Sequence, residues 1–198
     1  MEEKVMQWLK ALEAHIERGW RLGENGRLDD QIRVWRRAWA TLARLCREVP
    51  EVTFSAIEGA MGVELDTWLW TFLAMLENWM FRGEKELRTA RKVLGTFLRL
   101  LDDDVGPDLA AMARGILGLN LQWSEGFFAA DAYYRHAIKT APGHGSTWLR
   151  WSLLYSGGTE GTCCTLQGDK KAREILHQGL AQLRDPLERQ LLLEALKR

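Results

Sequence analysis

The chain has 198 residues, 46 % of them apolar, which suits one domain or a short repeat array with a sizeable core and excludes bulk disorder. Lysine plus arginine and aspartate plus glutamate number 27 each, so the chain as a whole lacks the positive field that draws proteins to nucleic acid or anionic lipid. Ten tryptophans stand beside only four prolines and three tyrosines, and with long Leu-, Ala-, Glu- and Arg-rich stretches and no alternating Val/Ile/Thr run they favour an all-α fold.

The opening Met1-Glu2-Glu3-Lys4 lacks the basic start and apolar block of a secretory signal. The most apolar stretch, Trp68 to Leu76, is far shorter than the roughly 20 residues of a membrane-spanning helix. Cys46 and the adjacent Cys163-Cys164 make no disulfide framework, so the expectation is a soluble, cytoplasmic protein with ordinary reduced thiols.

Val5, Leu9, Leu12 and Ile16 fall on one helical face, and Gly23 and Gly26 break the chain after them. Leu28, Ile32, Trp35, Trp39, Leu42 and Cys46 then step by threes and fours, with Asp29 or Asp30 placed to serve the helix start and Pro50 to end it. Together they predict an antiparallel helix pair over residues 1–50. Residues 51–62, with Gly59 and Gly62 around a short apolar patch, read as a connector holding a helical turn or two. From Leu65 to Arg82 the chain is apolar on most sides through Trp68, Trp70, Phe72, Leu73, Leu76 and Trp79, as a central helix is, and Gly83 stands where a left-handed cap favours glycine. Glu84 to Leu101 follows, burying Leu87, Ala90, Leu94, Phe97 and Leu101 to give a central pair over 64–104. Asp102, Asp103 and Asp104 close it before Gly106-Pro107, and Pro107 suits the first turn of the next helix.

Between residues 111 and 142 the spacing of Leu117-Gly118, Leu121, Ala130, Tyr134, Ala137 and Pro142 resembles the signature of a tetratricopeptide repeat, with Arg114 where that family commonly carries Trp. The small Gly118 and Ala130 permit close helix approach, Leu121 and Tyr134 fill the space between, and Pro142 stops the second helix for want of a donor N–H. A second hairpin would take Thr147 to Tyr155 and then Gly168, Ala172, Leu176 and Gly179, with residues 156–167 inserted in its turn. A terminal helix from Asp185 to Lys197, with Pro186 at its start, would cap the array. The region 111–198 is also similar to the helical part of bacterial proteins carrying a SEC-C zinc motif, but the cysteine motif itself is missing, so no zinc role carries over. Gly19, Leu22, Gly26, Trp35 and Ala38 fit the repeat loosely, at intervals above the family period of about 34 residues. The resemblance implies one helical domain, an irregular tetratricopeptide-like hairpin array in a right-handed α-superhelix, with about eight or nine helices.

In that family the inner groove is lined by the first helix of each hairpin, which here implies Met112, Leu119, Gln122, Trp123, Thr147, Trp151 and Tyr155. Trp123, Trp151 and Tyr155 would make an aromatic platform for a peptide or protein; the plainer alternative is ordinary core. Gly115 and Leu119 replace the Lys and Asn of the carboxylate-gripping members, which argues against that subtype. Arg27, Arg33, Arg36, Arg37, Arg44 and Arg47 form a locally basic segment, read as a solvated helix face. His136, His144, Cys163, Cys164 and His177 lack metal-ligand spacing, and Asp102 to Asp104 cannot converge on one ion without further ligands. Gly157-Gly158 and Gly161 lack the strand and Lys-Ser/Thr of a nucleotide-binding turn, and no nucleophile with a base is spaced for catalysis. The expected function is therefore a non-catalytic interaction scaffold that needs no cofactor, metal, nucleic acid or membrane and is open to homodimerisation. The alternative is a sensor domain enclosing a small apolar ligand among Trp68, Trp79, Phe97 and Trp123.

Overall fold

The computed structural model describes residues 2–101, 105–156 and 166–197. The described residues form ten helices and no strand, an all-α fold. They divide into two compact units, Met1–Ala110 and Ala111–Arg198, where one domain is expected from the sequence. The readings placed on Asp102, Asp103, Asp104, Cys163 and Cys164 lie outside the described residues.

The first unit begins with α1 (Glu2–Glu24) and α2 (Leu28–Glu48). Gly26 turns the chain between them in the left-handed region at φ +70°, where a Cβ would be strained. Leu12, Ile16, Trp35 and Leu42 are buried along the seam. A Cβ on Gly19 would fall 1.9 Å from the Trp35 ring, so only glycine lets that indole seat against α1, where its Nε1 donates to the Ile16 carbonyl at 3.1 Å. Two features of α2 differ from expectation. Leu28 is 54 % exposed, because it is the first helical residue and lies ahead of the seam that Ile32 enters. Neither aspartate caps the start with its side chain, although both lie in the first turn at the positive end of the helix as expected, where Asp30 pairs with Arg27 and Arg33 and Asp29 with Arg82.

Helix α3 (Phe54–Gly59) is the element that takes the count past nine; Thr53 Oγ1 caps it by accepting from the Ala56 N–H at 3.2 Å, and Phe54 and Ile57 anchor it inward. Glu58 Oε1 in turn accepts the N–H of Leu65 at 3.1 Å at the start of α4 (Leu65–Met80). Gly83 does not form a left-handed cap: among the described residues only Gly26 and Gly126 have positive φ. Helix α4 ends three residues earlier, and Gly83 instead opens α5 (Glu84–Leu101), its carbonyl accepting from the Leu87 N–H at 3.0 Å. The core between α2, α4 and α5 is a run of stacked rings, Trp39 lying 5.6 Å from Phe97 and 6.5 Å from Phe72, and Trp68 lying 5.7 Å from Phe72.

The second unit holds most of α6 (Pro107–Glu125), then α7 (Phe127–Thr140), α8 (Gly145–Tyr155), α9 (Leu166–Gln182) and α10 (Pro186–Leu196). Gly126, at φ +90°, makes the α6–α7 turn. Across that hairpin a Cβ on Gly118 would lie 2.3 Å from Cζ of Tyr134, whose hydroxyl donates to the Gly115 carbonyl at 3.1 Å. Helix α8 is reached through Gly115, which sits against Arg150, and α9 approaches α8 through Gly179, where a Cβ would meet Trp148 at 2.8 Å. Two adjacent residues of α10 dock it onto both predecessors. Glu188 Oε2 accepts the Gly145 N–H at 2.6 Å at the positive end of α8, and the Arg189 guanidinium donates to the Leu180 and Leu183 carbonyls at the negative end of α9.

Candidate functional site

The seven residues predicted to line an inner groove divide into two groups. Thr147 and Trp151, 2 % and 7 % exposed, are buried, so the expectation that they line an open wall does not hold in this chain. Residues 147, 151 and 155 follow one face of α8, and α7 meets that face at Trp151 and Tyr155. Met112, Leu119 and Gln122 are half-buried on α6, and Trp123 on its last turn is 47 % exposed. Tyr155 is half-buried at the end of α8.

What holds Trp151 and Tyr155 is Asp131 of α7. Its Oδ1 accepts from Trp151 Nε1 at 2.8 Å and from the Tyr155 hydroxyl at 2.6 Å, and its Oδ2 pairs with Arg135 at 2.9 Å. Burial pushes the Asp131 carboxyl up most strongly, but the three donors from Tyr155, Trp151 and Arg135, with the Arg135 charge, together bring it below the ordinary carboxylate value. Burial, and then the bond to Asp131, push the Tyr155 phenol above its usual range. A buried charge is tolerable only when paired and bonded, and here both oxygens are occupied, so the cluster fixes α8 against α7.

The same clamp presents an aromatic edge. Phe127 meets the Tyr155 ring edge-on at 5.0 Å and Phe128 at 5.5 Å. Phe128 is 85 % exposed. Trp123, Phe127 and Phe128 thus fall within one α6–α7 turn whose backbone Gly126 sets. Sequence reasoning missed Asp131, Arg135, Phe127 and Phe128. The signal was present: Asp131 is a lone carboxylate on a stripe with Phe127, Tyr134 and Ile138, a place where an acid must find donors.

The remaining sequence candidates resolve otherwise. Arg27, Arg33, Arg36, Arg44 and Arg47 each have an intramolecular partner: Asp30 for the first two, the Trp79 ring at 4.9 Å for Arg36, Glu48 for Arg44 and the Ala43 carbonyl for Arg47. Arg37 is exposed. Trp68 and Phe97 are buried within the ring stack, Trp79 lies under Arg36, and Trp123 is half exposed. His136 and His177 are exposed. No helix among the described residues is long and apolar enough to cross a membrane. The chain matches no protein-family model and no curated protein.

Proposed function

We propose that this chain is a non-catalytic, cytoplasmic interaction module of tetratricopeptide-like helical hairpins, which holds a segment of a partner protein on the aromatic edge of its second unit. The observation that carries the proposal is the α6–α7 turn, where Trp123 and Phe128 expose 47 % and 85 % of their surface. Exposed leucines are commonplace on soluble proteins, but two large rings on one rigid turn are a concentrated anchor, because aromatics bury much area at little entropic cost. Rigidity comes from behind: Phe127 rests on Tyr155, and Tyr155 on Asp131.

The test compares affinity capture of the whole protein with that of Trp123→Ala and Phe128→Ala, using Lys170→Ala on α9 as the surface control. The expected outcome is a specific set of co-purifying proteins lost from both aromatic variants and kept by the control. Identical partner sets from all four proteins would remove this edge as the binding site. Trp151→Ala is not a suitable probe, because it removes a buried donor from Asp131 and acts on folding.

A further inference from the structure

Helix α10 carries an apolar projection, Leu187, and borders a recess in which leucines stand beside Asp169, Arg173 and Glu194. Leu187, Leu191 and Ala195 recur every four residues along one stripe. Leu187 is 82 % exposed, whereas Leu191 and Ala195 line a cleft of about 520 Å³ that α10 forms with Leu149 and Leu153 of α8 and Leu176 of α9. From Leu187 to Ala195 is about 12 Å at 1.5 Å per residue. The knob therefore lies one helical step before Leu191, and the hole runs from Leu191 to Ala195 one step after it.

We propose that this face pairs two copies of the chain, α10 against α10 in antiparallel order about a two-fold axis through Leu191. A two-fold contact is isologous: whatever one copy offers at a position it must receive at the symmetric one. Antiparallel apposition seats Leu187 of each copy over the Ala195 recess of the other and sets Leu191 on Leu191. The charges agree with this order. Lys197, exposed at the end of the helix, falls opposite Asp185 of the second copy, and the pairing occurs twice. Asp185 uses Oδ1 for the N–H groups of Leu187 and Glu188, which leaves its other oxygen for the lysine. Glu194 falls opposite Glu188, but that carboxylate is turned to the Gly145 N–H at 2.6 Å and so does not confront it. Such pairs add little energy at a surface, yet they select the antiparallel register over the parallel one.

Light scattering and sedimentation of the full chain over a micromolar-to-millimolar series test the pairing. The expected result is a mass that rises to twice the 22.7 kDa of one chain. Leu187→Glu and Leu191→Glu return it to the single-chain value with helix content unchanged, and Lys197→Glu raises the dissociation constant several-fold. If Leu191→Glu fails to fold, the exposed Leu187→Glu carries the test alone. A single-chain mass at every concentration, or association unaffected by Leu187→Glu, overturns the proposal, and neither outcome bears on the aromatic edge of the α6–α7 turn.

Discussion

Gly118 and Asp131 fix the α6–α7–α8 packing by opposite means, one by having no side chain and the other by having both carboxylate oxygens bonded. A methyl group at 118 cannot avoid the Tyr134 ring, which is itself buried and bonded to Gly115, so Gly118→Ala is expected to cost about 1–3 kcal/mol in urea unfolding, the range of an overpacked core. Asp131→Ala leaves the buried Trp151 donor without an acceptor, at about 1–3 kcal/mol, and frees the half-buried Tyr155 hydroxyl, and should lower the midpoint more than Asp131→Asn, which keeps an oxygen for them. The pH dependence has a definite sign. Because the folded carboxyl lies below its unfolded value, its stabilisation is complete above about pH 3.9 and is lost as pH falls through the lower folded value. Unfolding free energy followed through the acid limb should therefore fall less steeply in Asp131→Asn than in the unmodified chain. The small residue at 118 was legible through the resemblance to the repeat signature. Asp131 was not, since periodicity identifies which positions face inward but not which donors await a carboxylate there.

Elements were read well wherever termini carry their own chemistry. Helix α5 runs over the Glu84–Leu101 span its apolar stripe marks, and Pro107 and Pro186 open α6 and α10. Reading failed where two signals compete for one residue. Gly83 satisfies the rule for a helix end, yet α4 has already stopped at Met80, and Gly83 contributes its carbonyl to the following helix. Leu28 matches the α2 stripe by count, but it lies ahead of the α1–α2 seam that Ile32 enters and is 54 % exposed. Helix α10 illustrates what capping adds. It is held at its start by Asp185, which accepts the N–H groups of Leu187 at 2.8 Å and Glu188 at 3.0 Å, and along its inner side by Leu192. Asp185→Ala is expected to cost about 1 kcal/mol and to accelerate amide exchange across α10, a change that hydrogen exchange resolves helix by helix. Arg189→Ala, which uncovers the last carbonyls of α9, should accelerate exchange in α9 as well.

At the scale of the whole chain, composition was sufficient for the class: balanced charge, few prolines and a Leu/Ala/Glu/Arg bias give helices and nothing else among the described residues. The division into two compact units was only partly legible: the run of Asp102, Asp103 and Asp104 and the Gly106-Pro107 pair mark a break between subregions in the sequence, but the boundary itself falls just beyond them, inside α6. The placement of the aromatic rings was not legible, since helical spacing marks Trp123 and Trp151 alike as apolar positions although one is half exposed and the other is bound to Asp131. The proposed docking edge rests on that difference. The most direct test of an aromatic docking edge is photo-cross-linking from position 128, with benzoylphenylalanine replacing Phe128 in cells of the source organism. The account predicts a discrete cross-linked species that disappears when Trp123→Ala is added to the same chain. No discrete species, or one that survives Trp123→Ala undiminished, would contradict it.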